Sequence, residues 1–315
     1  MTRSRSLPVA VVLLVFGCLA PAARAEETRP PRVLLAAGGA MRDYQFLRNL
    51  VIRLTDKGLA DMAFFMQPPP GRAAGWRLGI TADLPPRGFL TRFPDAACKP
   101  GDDADEKYYN PAHYDVIVVF DLDWERIEPK AVAGLRGWVK NGGTLVLVAG
   151  PVNTPKLAAE PKAERDQQVR DLYPVVLDRG SPKGDREHPW RLHFPKTKAD
   201  RKFLKLDPGG DDDLAGWEEF FTGNKKFNKD ATLERGFFNY QPAKAVKKGA
   251  TVLATLADPS AKLADGSEQP FLVTMPLGKG RVVYLTSGEL WRLRAYREAM
   301  HERLWMQILN LGERR

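Results

Sequence analysis

The sequence predicts an α/β protein with a mostly parallel, doubly wound sheet. Short apolar runs rich in Val and Leu alternate with stretches in which apolar residues recur at helical spacing. These runs are apolar throughout, which is typical of parallel strands buried on both faces. Glycine pairs mark several of the breaks between them. This alternation predicts helices on both faces of the sheet and ligands beyond the carboxyl ends of the strands.

The first half of the chain supplies four predicted strands and two predicted helices. The strands are residues 32–37, 62–66, 115–120 and 144–148. One helix carries the apolar residues from Phe46 to Leu54 and ends at Lys57-Gly58. The other begins near Pro129 and ends at Asn141-Gly142-Gly143.

A segment at about residues 179–245 interrupts the alternation with charged residues, Gly, Pro and many aromatic residues. We interpret it as an irregular insertion in a single domain, and its aromatic side chains as a local core rather than a ligand platform. Strands are predicted again at residues 251–256, 271–275 and 281–286, the last two joined by a tight connection. A final helix at about residues 294–311 is expected to pack against the sheet.

The N-terminus has the pattern of a signal peptide. Arg3 and Arg5 precede an apolar run at residues 7–20, and Ala23-Arg24-Ala25 supplies small residues before a cleavage point. We therefore expect residues 1–25 to be removed and residues 26–315 to form one periplasmic or secreted domain. Cys18 gives an alternative, because residues 15–18 partly resemble a lipobox; the protein would then be a lipoprotein anchored through Cys18.

Composition excludes two classes of interaction. The net charge of the chain is +9, but its basic residues are interspersed with acidic ones and form no continuous stripe, so nucleic acid is not an expected partner. Cys98 is the only cysteine after residue 25, so no intramolecular disulfide can form. Its loop context indicates a spare thiol rather than a nucleophile.

Eight segments between about residues 32 and 311 form an ordered series. They are RVLL at 32–35, YQFLR at 44–48, YDVIVV at 114–119, WVKNGGTLV at 138–146, PWRL at 189–192, GATVLA at 249–254, GKGRV at 278–282 and SGELWR at 287–292. In this order they resemble glutamine amidotransferase-like proteins of planctomycete-type bacteria. The resemblance implies a flavodoxin-like sheet of the class I glutamine amidotransferase type. In that group such domains are often attached to membrane proteins with von Willebrand A-type modules, which makes envelope proteins with these modules the expected partners.

The resemblance also shows where a nucleophile should lie. Catalytic members of the wider superfamily place a cysteine on a sharp turn between a strand and a helix, where backbone amides favour the thiolate and its oxyanion. Here that turn should follow residues 144–148, and its sequence, AGPVNT at 149–154, has neither Cys nor Ser and adds a proline. We therefore predict an amidotransferase-like domain that lacks the catalytic cysteine.

Two groups of residues are candidates for ligand binding. Asp121 and Asp123 follow a central parallel strand, where paired carboxylates suit a cation or a hydroxyl-rich ligand. Their alternative role is helix capping or loop hydrogen bonding. Glu289, Arg292 and Arg294 follow the last strand and suit an acidic or polar ligand, or else a buried salt-bridge network that docks the terminal helix.

No cofactor or metal site is predicted. The four histidines form no compact metal-binding signature, so surface or structural roles are expected for them. Asp211-Asp212-Asp213 lacks the alternating ligands of a calcium loop and is expected to be a solvated turn.

Three functions remain open, of which the third and simplest is a structural component of an envelope complex. The first is an exported, non-catalytic amidotransferase-like domain that binds a ligand or protein at the cell envelope. The second is a hydrolase acting on amide, ester or carbohydrate substrates through carboxylates. An enzyme needs a pocket where Asp121, Asp123 or Glu289 converges with another acid, base or metal. A binding module needs only an exposed apolar or charged patch.

Overall fold

A computed structural model describes residues 29–68, 88–95, 106–159, 161, 163–185, 187–196, 201–223 and 235–310. The predicted signal peptide, Cys18 and Cys98 lie outside these ranges. The described strands are β1 Arg32–Ala37, β2 Asp61–Met66, β3 Phe89–Leu90, β4 Val116–Phe120, β5 Thr144–Val148, β6 Val175–Leu177, β7 Lys183–Gly184, β8 Leu192–His193, β9 Asn239–Tyr240, β10 Ala243–Val246, β11 Thr251–Leu256, β12 Pro270–Leu277 and β13 Gly280–Leu285. The helices are α1 Arg42–Asp56, α2 Pro129–Lys140, α3 Asn153–Ala158, α4 Glu164–Leu172, α5 Trp217–Thr222, α6 Trp291–Tyr296 and α7 Glu298–Asn310.

The central sheet has nine strands in the order β3-β2-β1-β4-β5-β13-β12-β11-β8. The six strands from β3 to β13 pair in parallel. The other three extend the sheet with antiparallel pairings. The predicted α/β class and the large, mostly parallel sheet are therefore confirmed. The strand order reverses between β1 and β4, and such a switch point is where doubly wound sheets form a crevice.

Both faces of the sheet are buried. In β4, Val116, Val118 and Phe120 belong to one core cluster, whereas Ile117 and Val119 belong to the other. The first cluster lies under α1, α6 and α7, and the second includes apolar residues of α2, α3 and α4. This double burial explains why β4 has no polar residue in alternation.

The aromatic residues of the predicted insertion do not form a separate local core. Trp217, Phe220 and Phe237 are buried in the same cluster as α6 and α7. The ring centroid of Phe237 lies 4.4 Å from that of Phe271 in the sheet. The segment also adds β8 to the edge of the sheet. The segment therefore covers the part of the sheet near β8 that α1, α6 and α7 leave open. This packing anchors the long irregular segment.

The C-terminal segment forms two helices instead of the one predicted. Arg297 separates α6 from α7 and has extended backbone angles (φ −153°, ψ 108°). Its side chain lies 3.7 Å from Glu219, which also accepts a hydrogen bond from the hydroxyl of Tyr296. The apolar residues Leu293, Tyr296 and Met300 keep helical spacing across this break, so periodicity alone gave no sign of it. Leu311, the predicted end, lies outside the described residues.

Two ionisable side chains, Asp43 of α1 and His301 of α7, are fully buried. Burial raises the pKa of Asp43 to about 7, against the effect of hydrogen bonds from two backbone amides. Burial, together with the nearby charges of Arg294 and Arg53, lowers the pKa of His301 to about 3. Between about pH 4 and 6.5 the folded chain therefore holds a proton on Asp43, whereas the unfolded chain holds one on His301. The two effects on the free energy of unfolding oppose each other.

We predict that single substitutions expose these two opposed pH dependences. In His301→Phe, the free energy of unfolding should rise relative to wild type as the pH falls from 6.5 to 4, by up to about 1.4 kcal/mol per pH unit, because Asp43 takes up a proton only on folding. In Asp43→Asn, it should fall over the same interval, because His301 then takes up its proton only on unfolding. Urea denaturation at several pH values measures both slopes. If the free energy of unfolding of both variants changed with pH in parallel with that of wild type, neither group would have a shifted pKa.

Candidate functional site

The five residues of the two predicted ligand-binding groups lie at the same side of the sheet, where its parallel strands have their carboxyl ends. Asp121 and Asp123 follow the carboxyl end of β4, next to the switch point between β1 and β4. Glu289 follows β13, and Arg292 and Arg294 lie in α6. The carboxyl ends of β1, β4, β5 and β13 meet at this edge, as expected for parallel strands.

The carboxylate of Asp121 caps the N-terminus of α3. It accepts hydrogen bonds from the backbone amides of Val152 (3.0 Å), Asn153 (3.0 and 3.1 Å) and Thr154 (2.7 Å). The hydroxyl of Thr154 donates to it as well, at 2.8 Å. In return, the side-chain amide of Asn153 donates to the backbone carbonyl of Asp121 at 2.6 Å. Asp121 is 6% exposed. Helix capping, one of the two roles considered from the sequence, is therefore the role its contacts give it.

Two glycines make this cap sterically possible. Asp121 has a positive φ of 42°, which Asp tolerates better than most residues. A Cβ on Gly38 would lie 2.1 Å from the carbonyl oxygen of Asp121, and a Cβ on Gly150 would lie 2.4 Å from its Cβ. The loops after β1, β4 and β5 are thus packed directly on one another. Gly38, which the sequence marked only as a strand break, and Gly150, in the turn after β5, admit the capping residue.

The cap occupies the turn where a nucleophile was expected. Residues 149–152 join β5 to α3, which is the predicted strand–turn–helix arrangement. In a catalytic elbow, backbone amides near the helix start are available to a thiolate or an oxyanion. Here the amides of Val152, Asn153 and Thr154 all donate to Asp121. The groups that would stabilise developing negative charge are already bound to a carboxylate of the same chain.

Asp123 has different neighbours. The side chain of Gln67 holds its backbone in both directions, accepting from its amide at 2.7 Å and donating to its carbonyl at 2.8 Å. Its carboxylate lies 3.6 Å from the ammonium group of Lys156, which also donates to Asn153 at 3.1 Å. The two aspartates therefore face separate partners.

A shallow depression of about 20 Å³ lies beside Asp123. Acidic, basic and apolar side chains share its wall: Asp123, Trp124, Glu125, Asn153, Lys156, Leu157, Pro161, Asp166 and Arg170. Its volume is about the space that one water molecule needs, far below the volume of small-molecule sites. Lys156 was not predicted, because a single lysine in a helical turn carries no distinguishing pattern.

Glu289 and Arg292 form a docking network at the start of α6. The guanidinium of Arg292 donates to Glu289 at 2.9 Å, and the backbone amides of Phe238 and Asn239 donate to the same carboxylate at 2.5 and 3.1 Å. Arg294 pairs with Glu298 at 2.9 Å, one turn further along. Glu289 thus ties α6 to the segment before β9, which is the structural role considered from the sequence.

Asp43 completes this network and was not predicted. Its carboxylate accepts hydrogen bonds from the backbone amides of Leu290 (2.9 Å) and Trp291 (2.5 Å), and so caps α6 from α1. An acidic residue in the first turn of a helix is ordinary, so this long-range contact could not be predicted from the sequence.

Metal ligation and membrane insertion were also considered for the described part of the chain. No three His, Cys, Asp or Glu side chains within it are placed to hold a metal ion. None of the helices described is long and apolar enough to cross a bilayer.

Comparison with known proteins gives a fold-level likeness only. No protein-family model and no curated protein matches the sequence. Among solved structures, a cytoplasmic protein of Salmonella typhimurium is 15% identical and has a TM-score of 0.48, covering 88% of this chain and 97% of its own. A protein described as ThuA-like from Parabacteroides merdae is 14% identical, with a TM-score of 0.42 and 90% of each chain covered. A β-galactosidase of Bacillus circulans is 12% identical, with a TM-score of 0.41, 90% of this chain and 31% of its own covered. Similarity this distant carries no assignment of activity.

We predict that the Asp121 cap is a major contribution to stability. Asp121→Ala should lower the free energy of unfolding by about 3 kcal/mol, because three amides and a hydroxyl lose their acceptor in a buried site. Asp123→Ala, the same change two residues later, removes only a partly exposed ion pair and should cost less than about 1 kcal/mol. Urea denaturation of both variants tests this. Equal losses in the two variants would contradict a capping role for Asp121.

Proposed function

We propose that this chain is an exported, non-catalytic domain of the class I glutamine amidotransferase-like type that binds a partner or ligand at the cell envelope. The observation that carries the proposal is the internal cap of α3 by Asp121. An acyl-transfer site at that turn would need a nucleophile and free amide donors. The turn sequence supplies no Cys or Ser, and Asp121 takes the amides.

The other carboxylates also support binding over catalysis. Glu289 is bound to two backbone amides and to Arg292, and Asp123 faces Lys156 instead of a second acid. Within the described ranges, no hydrogen bond or ion pair joins Asp121, Asp123 and Glu289 to one another. General acid–base chemistry through these groups would require them to meet at one substrate.

The hydrolase alternative has one specific observation in its favour. Asp123, Glu125 and Asp166 line the same depression as Lys156. Asp166, however, already accepts hydrogen bonds from the amide of Ala163 (3.1 Å) and from Arg165. This leaves Asp123 and Glu125 as the residues on which a carboxylate mechanism in the depression would depend.

We predict that hydrolysis of amide, ester and glycoside substrates by the purified protein stays at the uncatalysed rate. Asp123→Asn and Asp123→Ala should leave that rate unchanged, since Asp123 has no catalytic role in this account. Chromogenic substrates of the three classes provide the assay. Turnover above background that either substitution lowers by about tenfold or more would establish the hydrolase instead.

Export is the second part of the proposal, and it depends on residues 1–25. Expression of the full chain in a Gram-negative host should give a periplasmic protein whose N-terminus is Glu26, because Ala23 and Ala25 satisfy the small-residue requirement of cleavage. Replacing Ala25 by Arg should block processing. N-terminal sequencing and cell fractionation distinguish the outcomes. A membrane-bound product that loses its anchor in Cys18→Ala would establish the lipoprotein alternative.

A further inference from the structure

A stack of guanidinium and aromatic groups lies at the start of α6. The Cζ of Arg42 is 4.2 Å from the ring centroid of Trp291. The Cζ of Arg292 is 4.5 Å from the same ring and 4.0 Å from the ring of Phe238. We call Arg42, Trp291, Arg292 and Phe238 the arginine–aromatic stack. Its members come from α1, α6 and the segment before β9, so folding alone brings them together.

Buried carboxylates hold three members of the stack, Trp291, Arg292 and Phe238, in place. Asp43, next to Arg42 in the chain, binds the backbone amide of Trp291 at 2.5 Å. Glu289 holds the guanidinium of Arg292 at 2.9 Å and the backbone amide of Phe238 at 2.5 Å. A surface fixed in this way loses little conformational freedom when it binds a partner.

The two arginines of the stack differ in their charge balance. Glu289 neutralises Arg292. Arg42 is exposed, and no carboxylate of the described residues lies within ion-pair distance of it; the carboxylate of Asp43 is turned inward to α6. Trp291 covers one face of the Arg42 guanidinium. The edge of that guanidinium presents its N–H donors to solvent, and this planar fork suits a planar oxyanion.

We propose that the arginine–aromatic stack binds a carboxylate of an acidic protein segment, with Arg42 as the ion-pairing group and Trp291 as its platform. This inference rests on the proposed binding function and names the chemistry of the partner. Trp and Arg are the residues that most often dominate protein–protein interfaces.

Charge and exposure favour a protein segment over a lipid surface. The two arginines of α6 are paired with acids, Arg292 with Glu289 and Arg294 with Glu298, so Arg42 carries the uncompensated charge beside this helix. Attachment to an anionic bilayer draws on several basic residues together, each worth about 1 kcal/mol. The large exposed apolar residues of the described chain are Leu59, Val152, Val176 and Met306, and none belongs to the stack.

The test is fluorescence anisotropy of the purified protein with a short labelled peptide of alternating Glu and Gly, and with a matched peptide of Gln and Gly. The Glu peptide should bind and the Gln peptide should not, with affinity falling as salt is added. Arg42→Gln should weaken binding by about tenfold, which corresponds to ~1.4 kcal/mol. Arg42→Lys should give an intermediate loss, because lysine keeps the charge without the planar fork.

Arg281→Gln is the matched control. This substitution removes the same charge at the amino end of β13, whereas Arg42 lies near the carboxyl ends of the strands. It should change the affinity for the Glu peptide by less than about twofold. Equal losses in Arg42→Gln and Arg281→Gln would overturn the inference by showing non-specific attraction. So would Arg42-dependent binding to phosphatidylglycerol vesicles without peptide binding. Absence of peptide binding refutes this inference alone, since the proposed lack of catalysis is tested separately by substrate turnover.

Discussion

The contact between Asp121 and the start of α3 determines how the carboxyl edge of the sheet is built. One carboxylate binds three consecutive backbone amides, and the side chain of Asn153 binds the backbone of Asp121 in return. The loops after β1 and β5 must then approach Asp121 so closely that only glycine fits at Gly38 and Gly150. The crevice that a doubly wound sheet usually offers at its switch point is here filled by the chain itself.

Buried acids also bind backbone amides near the start of α6. Asp43 binds the first amides of α6, and Glu289 binds two amides at the start of β9. Three buried acids thus meet backbone donors rather than substrate, and each joins segments far apart in sequence. Backbone amides are suitable partners for buried carboxylates, since an unpaired charge there would be strongly unfavourable. What remains available to a partner is the outer surface of this network, where Arg42 and Trp291 lie.

Much of the fold could be predicted from the sequence, because the features that predict it lie within short stretches of the chain. Strands such as β4 and β5 are uniformly apolar because both faces are covered, and α2 is bounded by Pro129 and by the glycines after Lys140. The helix break at Arg297 depends on a contact with Glu219, and the insertion joins the main core through a contact with Phe271. No periodicity in the sequence indicates either contact.

The candidate site was predictable in position but not in role. Asp121 and Asp123 are adjacent-but-one acids after a central strand, and their sequence context is nearly the same. Their roles differ because Asp121 meets the amides of α3, whereas Asp123 faces Lys156. Which of two such acids turns inward depends on the approach of a loop some thirty residues later in the chain. Arg42 and Trp291 are likewise paired only by the packing of α1 on α6.

Amide hydrogen exchange at the start of α3 tests the central claim most directly. If Asp121 binds these groups, the amides of Val152, Asn153 and Thr154 should exchange much more slowly than those of Glu164 and Arg165. The latter pair opens α4 behind Ala163, a residue without a side-chain acceptor. Exchange at equal rates in the two helix starts would mean that the amides after β5 are free to meet a ligand or an oxyanion, and would contradict the account.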